Sequence, residues 1–529
     1  MRRILAPVLL LVLALPLFSA SRETHTVEVV QVPVFVTRDG ASVSGLTRDN
    51  FELYVNGKAR PFEYFDVYDF GAAPPAAQAQ TQAQGEIAAP RDVRQRRLYV
   101  LLFDLVYSTP KAIARARVAA DSYMNNAGPA DAFAVGKYTV NHGIELFVPF
   151  TRDRQAVRNA IQRMSEGGKD DPLHLALAPV ERAEIAESDK FAESGQVQQM
   201  IADSAAAQIL IDPARRRIRD QLEALGDLAD RLAPLEGNRH VVLLTSGFNS
   251  TSVHGIGPAN TIVSPVNFGA NGQLNKPVRQ GTAIMPSDPA TTGAMREMYG
   301  RFTRAGVFLD CIDVEGARLG FSGTHDSEGL SMLARDTGGQ VVLNHNDLRQ
   351  AMQTLTDMQR VVYVLGFHTE DTGKRDNKIE VKLRGVEGRG IRTNYRPSYS
   401  TTQPKASTVD ALRVADILEN DIPQTGVTTT IAVSGNRVDV EVPARELLAL
   451  SGKPNASAEA MLYVFSGHGV VAYKGKRISL DAAQANAAKP VHVIETFDEL
   501  PPGHYEAKVL LRVEGTDALG FARAPMTVE

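Results

Sequence analysis

The chain has 529 residues, 43% of them hydrophobic and 22% charged, with a formal net charge of −4 at pH 7. That is a globular composition long enough for about three domains of roughly 100–200 residues each, and the absence of a basic excess argues against a nucleic-acid surface. Cys311 is the single cysteine, which excludes an intrachain disulfide and leaves core burial to stabilise the fold.

Residues 1–21 read as a secretory signal peptide. Arg2 and Arg3 give a positive start, residues 4–18 are almost entirely apolar, and Ser19, Ala20 and Ser21 precede the polar Arg22 and Glu23. The apolar run is about 15 residues, short of the roughly 20 that a membrane span needs. The expectation is an exported chain, periplasmic or secreted to the cell envelope, with no transmembrane helix in its mature part.

Residues 22–70 read as a small N-terminal β unit. Val27, Val29, Gln31, Pro33 and Phe35 alternate with Glu28, Val30, Val32, Val34 and Val36 at a period of two. Asp39-Gly40 and Asn56-Gly57 are hairpin-turn pairs on either side of a strand at 51–55. The unit is short for an independent domain and suited to completing a sheet elsewhere. Residues 71–95, rich in Ala, Gln and Pro, read as a linker.

Residues 96–399 change in character. Residues 98–103 are continuously apolar and run into Asp104, as a strand buried on both faces of a parallel sheet does. A helix is predicted at 112–126, strands at 131–138 and 144–150, and a helix at 154–164. Residues 179–235 read as two long helices, with Arg215, Arg216 and Arg217 on a solvated face. Apolar strands follow at 240–245, 307–314 and 340–343, with helices at 328–336 and 347–359. This alternation predicts a mostly parallel sheet with right-handed crossovers. The Gly-, Asn-, Pro- and Ser-rich residues 249–292 form a long loop directly after a central strand. Strands at 361–367, 379–383 and 391–395 extend the domain. After a linker at 400–408, residues 409–529 show six strands separated by turns, the pattern of a β-sandwich.

Three stretches carry a family resemblance. Residues 98–104 (Leu-Tyr-Val-Leu-Leu-Phe-Asp), 240–247 (His-Val-Val-Leu-Leu-Thr-Ser-Gly) and 330–339 (Leu-Ser-Met-Leu-Ala-Arg-Asp-Thr-Gly-Gly) follow the order and spacing of a von Willebrand factor A-type domain. With the preceding β unit and residues 363–366 (Tyr-Val-Leu-Gly), the match over 24–399 resembles the A-type-related family common in Acidobacteria. The fold class that follows is α/β. A mostly parallel-sheet, Rossmann-like A-type central domain stands between a small N-terminal β unit and a C-terminal β-sandwich.

The resemblance implies a divalent-cation site at the top of the sheet, built from Asp-x-Ser-x-Ser after the first strand and a Thr and an Asp from later loops. Asp104 and Ser108 match this pattern. Val106 stands in place of the first Ser, Lys169 and Asp170 occupy the loop expected to supply the Thr, and Ser246 replaces the late Asp. Asp170 is the one substitute ligand on offer. Hard cations need oxygen ligands, so the expectation is a degenerate rim of Asp104, Ser108, Asp170 and Ser246 with no cofactor, Mg²⁺ or Ca²⁺ binding weakly at most. Asp104 would instead cap the following helix or pair with Lys169.

Catalytic signatures are absent: the chain has no His-Glu-x-x-His, no Gly-x-Ser-x-Gly and no phosphate-binding glycine loop. Cys311 lies in an apolar strand, as a buried inert thiol does, and His325, Asp326 and Glu328 read as the polar loop before the helix at Leu330. The expectation is a non-enzymatic binding module of adhesion type, its partner a protein or envelope ligand. A structural component of the envelope is the alternative, and a hydrolase ranks last.

Overall fold

The computed structural model describes residues 29–71, 96–164, 204–248, 250–254, 287–316, 321–368, 376–400, 411–452, 455–467, 469–481 and 489–529. The expected signal peptide, Lys169, Asp170, almost all of both linkers and the body of the 249–292 loop lie outside these residues.

The chain begins with β1 (Val29–Arg38), β2 (Ala41–Ser42), β3 (Phe51–Val55), β4 (Lys58–Ala59) and β5 (Tyr64–Asp69). Asp39 and Gly40 have φ of 52° and 87°, and Asn56 and Gly57 have 53° and 80°. These left-handed pairs are what a tight two-residue hairpin requires.

The central α/β region runs β6 (Arg97–Asp104), α1 (Pro110–Asn126), β7 (Ala132–Thr139), β8 (Gly143–Thr151), α2 (Arg154–Gln162), α3 (Ser204–Leu232), β9 (Asn238–Thr245), α4 (Thr251–His254), α5 (Pro289–Ala305), β10 (Val307–Asp313), α6 (Phe321–Arg335), β11 (Val341–Val342) and α7 (Leu348–Met358). Its sheet has the order β8-β7-β6-β9-β10-β11. All pairs are parallel except the edge pair β7–β8. All eight residues of β6 are buried. Leu98, Val100 and Leu102 enter one core with α3 and α5, while Tyr99, Leu101 and Phe103 enter the other with α1, α2 and α7. Covering both faces explains why the strand is apolar without alternation. Helix starts are capped by Thr109, Asp153, Asp288 and Asp347, whose side chains accept backbone N–H groups, with proline opening α1 and α5.

Four strands follow, β12 (Val361–His368), β13 (Asp376–Leu383), β14 (Ile391–Tyr395) and β15 (Ser398–Ser400). They pair with the N-terminal strands into two sheets, β14-β1-β12-β5 with β2 on β1, and β15-β13-β3-β4. Val34 lies opposite both Tyr363 and Tyr395. Val32, Val34, Phe51 and Leu53 share one core with Tyr363, Leu365, Ile379 and Val381. Phe35 of β1 rests edge-on against Phe308 at 5.4 Å, which joins this β unit to the base of the central sheet.

The C-terminal region comprises α8 (Ala411–Asn420), β16 (Thr430–Ser434), β17 (Arg437–Val442), α9 (Ala444–Ser451), β18 (Ala456–Ser466), β19 (Gly469–Leu480), β20 (Val491–Thr496), β21 (Gly503–Val513) and β22 (Leu519–Val528). Its sheets, β16-β17-β20 and β19-β18-β21-β22, bury one common cluster that includes Val440, Leu462 and Val509. α8 ties this region to the central sheet. Asp416 forms a buried ion pair with Arg96 at the entrance of β6, and Asn420 Nδ2 donates to the Phe150 carbonyl at 2.8 Å. Lys508 Nζ donates to the Leu418 carbonyl at 2.7 Å on the other side.

Several sequence expectations are corrected. Of the two helices expected over 179–235, residues 179–203 lie outside the described residues and the remainder holds α3, with Pro213 inside it. Arg215 faces inward, its Nε donating to the Ser252 carbonyl at 2.9 Å, so the arginine run is not wholly a solvated face. α6 begins at Phe321, which places residues 325, 326 and 328 in a helix rather than a loop. The C-terminal region adds β22 and the helices α8 and α9 to the six strands read from its pattern. Both helices are short and amphipathic, and a strand period does not detect them.

Candidate functional site

β6, β9 and β10 end level with one another in polar residues. Thr245 pairs with Asp313, and Asp104 follows the Phe103–Leu244 pair. The strand order reverses between β6 and β9, so Asp104 and Thr245 stand at the switch point where open α/β sheets form their crevice.

Asp104 is fully buried. Its Oδ1 accepts the backbone N–H groups of Val106 at 2.9 Å and Tyr107 at 3.1 Å. Its Oδ2 accepts Gln221 Nε2 at 2.8 Å and Thr245 Oγ1 at 2.7 Å. A carboxylate offers about four lone-pair positions, and four donors fill them. Burial pushes the carboxyl pKa up, against the hydrogen bonds from Thr245, Tyr107, Val106 and Gln221, which hold it down. The expected role is therefore corrected in detail. Asp104 closes the turn at 105–107, and the cap of α1 is Thr109, whose Oγ1 accepts Ala112 N–H at 3.1 Å.

The rim above it is held by hydroxyls and one glutamate. Ser108 Oγ accepts the Ser246 N–H at 3.2 Å, and Ser246 Oγ donates to Glu315 Oε2 at 3.0 Å. Thr109 Oγ1 reaches the same oxygen at 3.4 Å. Arg115 Nη1 donates to the Glu315 carbonyl at 2.8 Å, and its Nη2 reaches the carbonyls of His345 and Asn346. Ser250 Oγ donates to Glu328 Oε2 at 2.6 Å on the flank. The structure thus brings Asp104, Ser108 and Ser246 together, while Asp170 lies outside the described residues. Sequence reasoning missed Gln221, Thr245, Glu315 and Arg115. Thr245 and Glu315 carried a readable signal, since each sits at or just beyond the end of a central apolar strand.

The family's cation needs oxygens with free lone pairs. Both oxygens of Asp104 are doubly engaged, Val106 presents a buried apolar side chain, and Ser246 supplies a hydroxyl where the motif has a carboxylate. The residues described do not fit that cation. Among the described residues no cluster of three or more His, Cys, Asp or Glu side chains is placed to hold a metal.

A second polar group lies at the opposite end of the sheet. His240 Nδ1 is 2.8 Å from Asp310 Oδ2, Gln359 Nε2 donates to the same oxygen at 2.8 Å, and Tyr123 OH donates to Gln359 Oε1 at 2.5 Å. The His240 ring stacks on Phe308 at 5.0 Å and is edged by Phe35 at 6.0 Å. The His–Asp pair is enclosed in packing, and the only cysteine, Cys311, is buried in β10 with its thiol pKa pushed well up by burial.

No family model and no curated protein matches this sequence. Among solved structures, a von Willebrand factor type A protein from Catenulispora acidiphila is similar at 10% identity and a TM-score of 0.27, over 92% of this chain and 75% of that one. An aerotolerance-related membrane protein from Bacteroides fragilis is similar at 10% identity and 0.25, over 50% and 98%. A pilus adhesin from Streptococcus pneumoniae is similar at 8% identity and 0.24, over 94% and 79%.

Proposed function

We propose that this chain is an exported, non-enzymatic binding module that presents the top of an A-type α/β sheet to a protein or envelope ligand without a bridging metal. The observation that supports it most is the internal saturation of Asp104. The degenerate rim of Asp104, Ser108 and Ser246, with Glu315, then serves as a shaped polar surface, with Ser250 and Glu328 on its flank. Among the described residues no helix is long and apolar enough to cross a membrane. Calorimetric titration with Mg²⁺, Mn²⁺ and Ca²⁺ tests the metal-free reading. No saturable heat is expected, and micromolar binding abolished by Asp104→Ala would overturn it.

A role in envelope assembly is favoured by one observation. β19 pairs with β18 alone among the described strands, and its Val470, Val471 and Tyr473 are each about half exposed. Such an edge suits strand addition. Crosslinking capture from native envelope, with Val471→Lys and Tyr473→Lys set against Ser246→Arg, assigns the partner to one end or the other. Loss of capture only in the β19 variants would replace the top-face reading with the assembly reading.

A further inference from the structure

The base of the central sheet holds two arginines that form no ion pair with a carboxylate among the described residues. Arg239 opens β9, and Arg396 follows β14 of the β unit packed beneath the sheet. Arg239 Nη1 donates to the carbonyls of Ala233 and Leu235, at 2.8 and 2.6 Å, just past the end of α3. Arg396 Nη2 donates to the Gln31 carbonyl at 2.8 Å, and Nη1 makes a long contact of 3.4 Å to the Thr303 carbonyl in α5. These are neutral acceptors only. The Nε of each arginine is shielded from solvent and donates to no group among the described residues, and neither guanidinium lies within ion-pair distance of a described acidic side chain.

The two groups converge on one point. Gly306 ends α5 with φ 67°, and a Cβ built there would lie 2.8 Å from Arg396 Nη1 and 2.9 Å from Arg239 Nη2. The two guanidiniums therefore share the space that this glycine leaves open. Like charges so placed repel, and burial together with Arg396 and Arg96, against the opposing charge of Glu236, brings Arg239 down to about 10, as burial alone does for Arg396. The arginines at the start of β6 differ, because Arg96 has Asp416 and Arg97 has Asp131. An arginine fork directs paired donors at a planar or tetrahedral oxoanion. Two forks meeting over a glycine form a receptor for one.

We infer that Arg239 and Arg396 form a binding site over Gly306 for a small oxoanion, carboxylate or phosphate in chemistry. Arg239 belongs to the α/β sheet and Arg396 to the β unit, so a bound anion bridges the two and stabilises their contact. The ligand is a second copy of neither unit and lies at the end of the sheet opposite Asp104. It is therefore independent of the top-face reading above.

The test is thermal unfolding of the full chain at constant ionic strength, with chloride replaced stepwise by inorganic phosphate or by acetate. A saturable rise in Tm with at least one of the two is expected, and the stronger one identifies the ligand class. Arg239→Gln and Arg396→Gln should weaken the effect about tenfold or more, the loss of a charge-assisted contact. Arg392→Gln, an exposed neighbour on β14, should leave it unchanged. Should either glutamine variant fail to fold, calorimetry of the unaltered chain with phosphate and acetate decides, one site per chain supporting the proposal. No saturable effect of either anion, or an equal effect in the unaltered chain and the glutamine variants, overturns it.

Discussion

The two ends of the central sheet handle charge in opposite ways. At the top, Asp104 is surrounded by four donors drawn from its own turn, from α3 and from β9. At the base, the hydrogen bonds that Arg239 and Arg396 make among the described residues all go to backbone carbonyls. At the switch point, where the fold class directs attention, the lone pairs of Asp104 are thus taken up by the protein's own donors. Two donors that no described group accepts, Arg239 Nε and Arg396 Nε, lie where the β unit abuts the sheet. A site's position in the fold and its remaining hydrogen-bonding capacity are separate properties, and here they fall at opposite ends.

The largest expected effect concerns Arg96, a base arginine that has a carboxylate partner. Asp416→Ala strips Arg96 of its carboxylate in a fully buried setting, and losing one member of such a pair costs about 3–5 kcal/mol. Because Asp416 is on α8, the same change should loosen the C-terminal region from β8. Urea unfolding should show a lower midpoint, and a two-step transition where the unaltered chain shows one would locate the break. An unchanged midpoint would mean that Arg96 is no better satisfied than its neighbours, and the contrast among the three arginines would fall.

Next in size is the top. Asp104→Ala leaves two backbone N–H groups, Gln221 and Thr245 without an acceptor, a cost of about 2–4 kcal/mol. Asp104→Asn should cost within about 1 kcal/mol. Gln221 Oε1 has no partner among the described residues and can turn to accept the new amide, while Thr245 rotates its hydroxyl. The pair also has a pH signature. Burial raises the folded pKa of Asp104, so the folded chain holds this proton more tightly than the unfolded one. The group's contribution is then fully present below the unfolded value of about 3.9 and is lost as pH rises through the folded value. The stability of the unaltered chain relative to Asp104→Asn should fall over that window. A flat or rising difference would show that the four donors outweigh burial.

How much of this was legible in the residues depends on sequence distance. The buried strands at 98–103 and 240–245 were readable because a strand covered on both faces is apolar without alternation. The hairpins at Asp39-Gly40 and Asn56-Gly57 were readable because left-handed pairs demand those residue types. The partners of β1 were not, since Val34 meets Tyr363 and Tyr395 from the far side of the whole α/β region. At the apex, Val106 and Ser246 already argued against the cation. The bond that fills Asp104 comes from Gln221, mid-helix and 117 residues on, where nothing in a helical pattern marks one glutamine from another. Arg239 and Arg396 carry no motif at all. Only the fold brings them over Gly306.

The smallest expected effect sharpens the comparison most. Arg396→Met removes a hydrogen bond to Gln31 and a long contact to Thr303, but it also removes a like charge from beside Arg239 and keeps an unbranched apolar stem. These terms oppose one another, so in chloride buffer the change should lie within about 1 kcal/mol of neutral, far from the loss expected at Asp416. Repulsion between the two cations is screened by salt, so the variant should compare best with the unaltered chain at low ionic strength. Phosphate or acetate should reverse the order by stabilising only the chain that keeps both guanidiniums. Chemical unfolding in the three buffers reads all of this. A loss of more than about 2 kcal/mol in chloride alone, well above the net worth of one neutral hydrogen bond, would make Arg396 a cap for the carbonyls it touches. Arg396 would then be satisfied by the protein's own groups, as Asp104 is at the top.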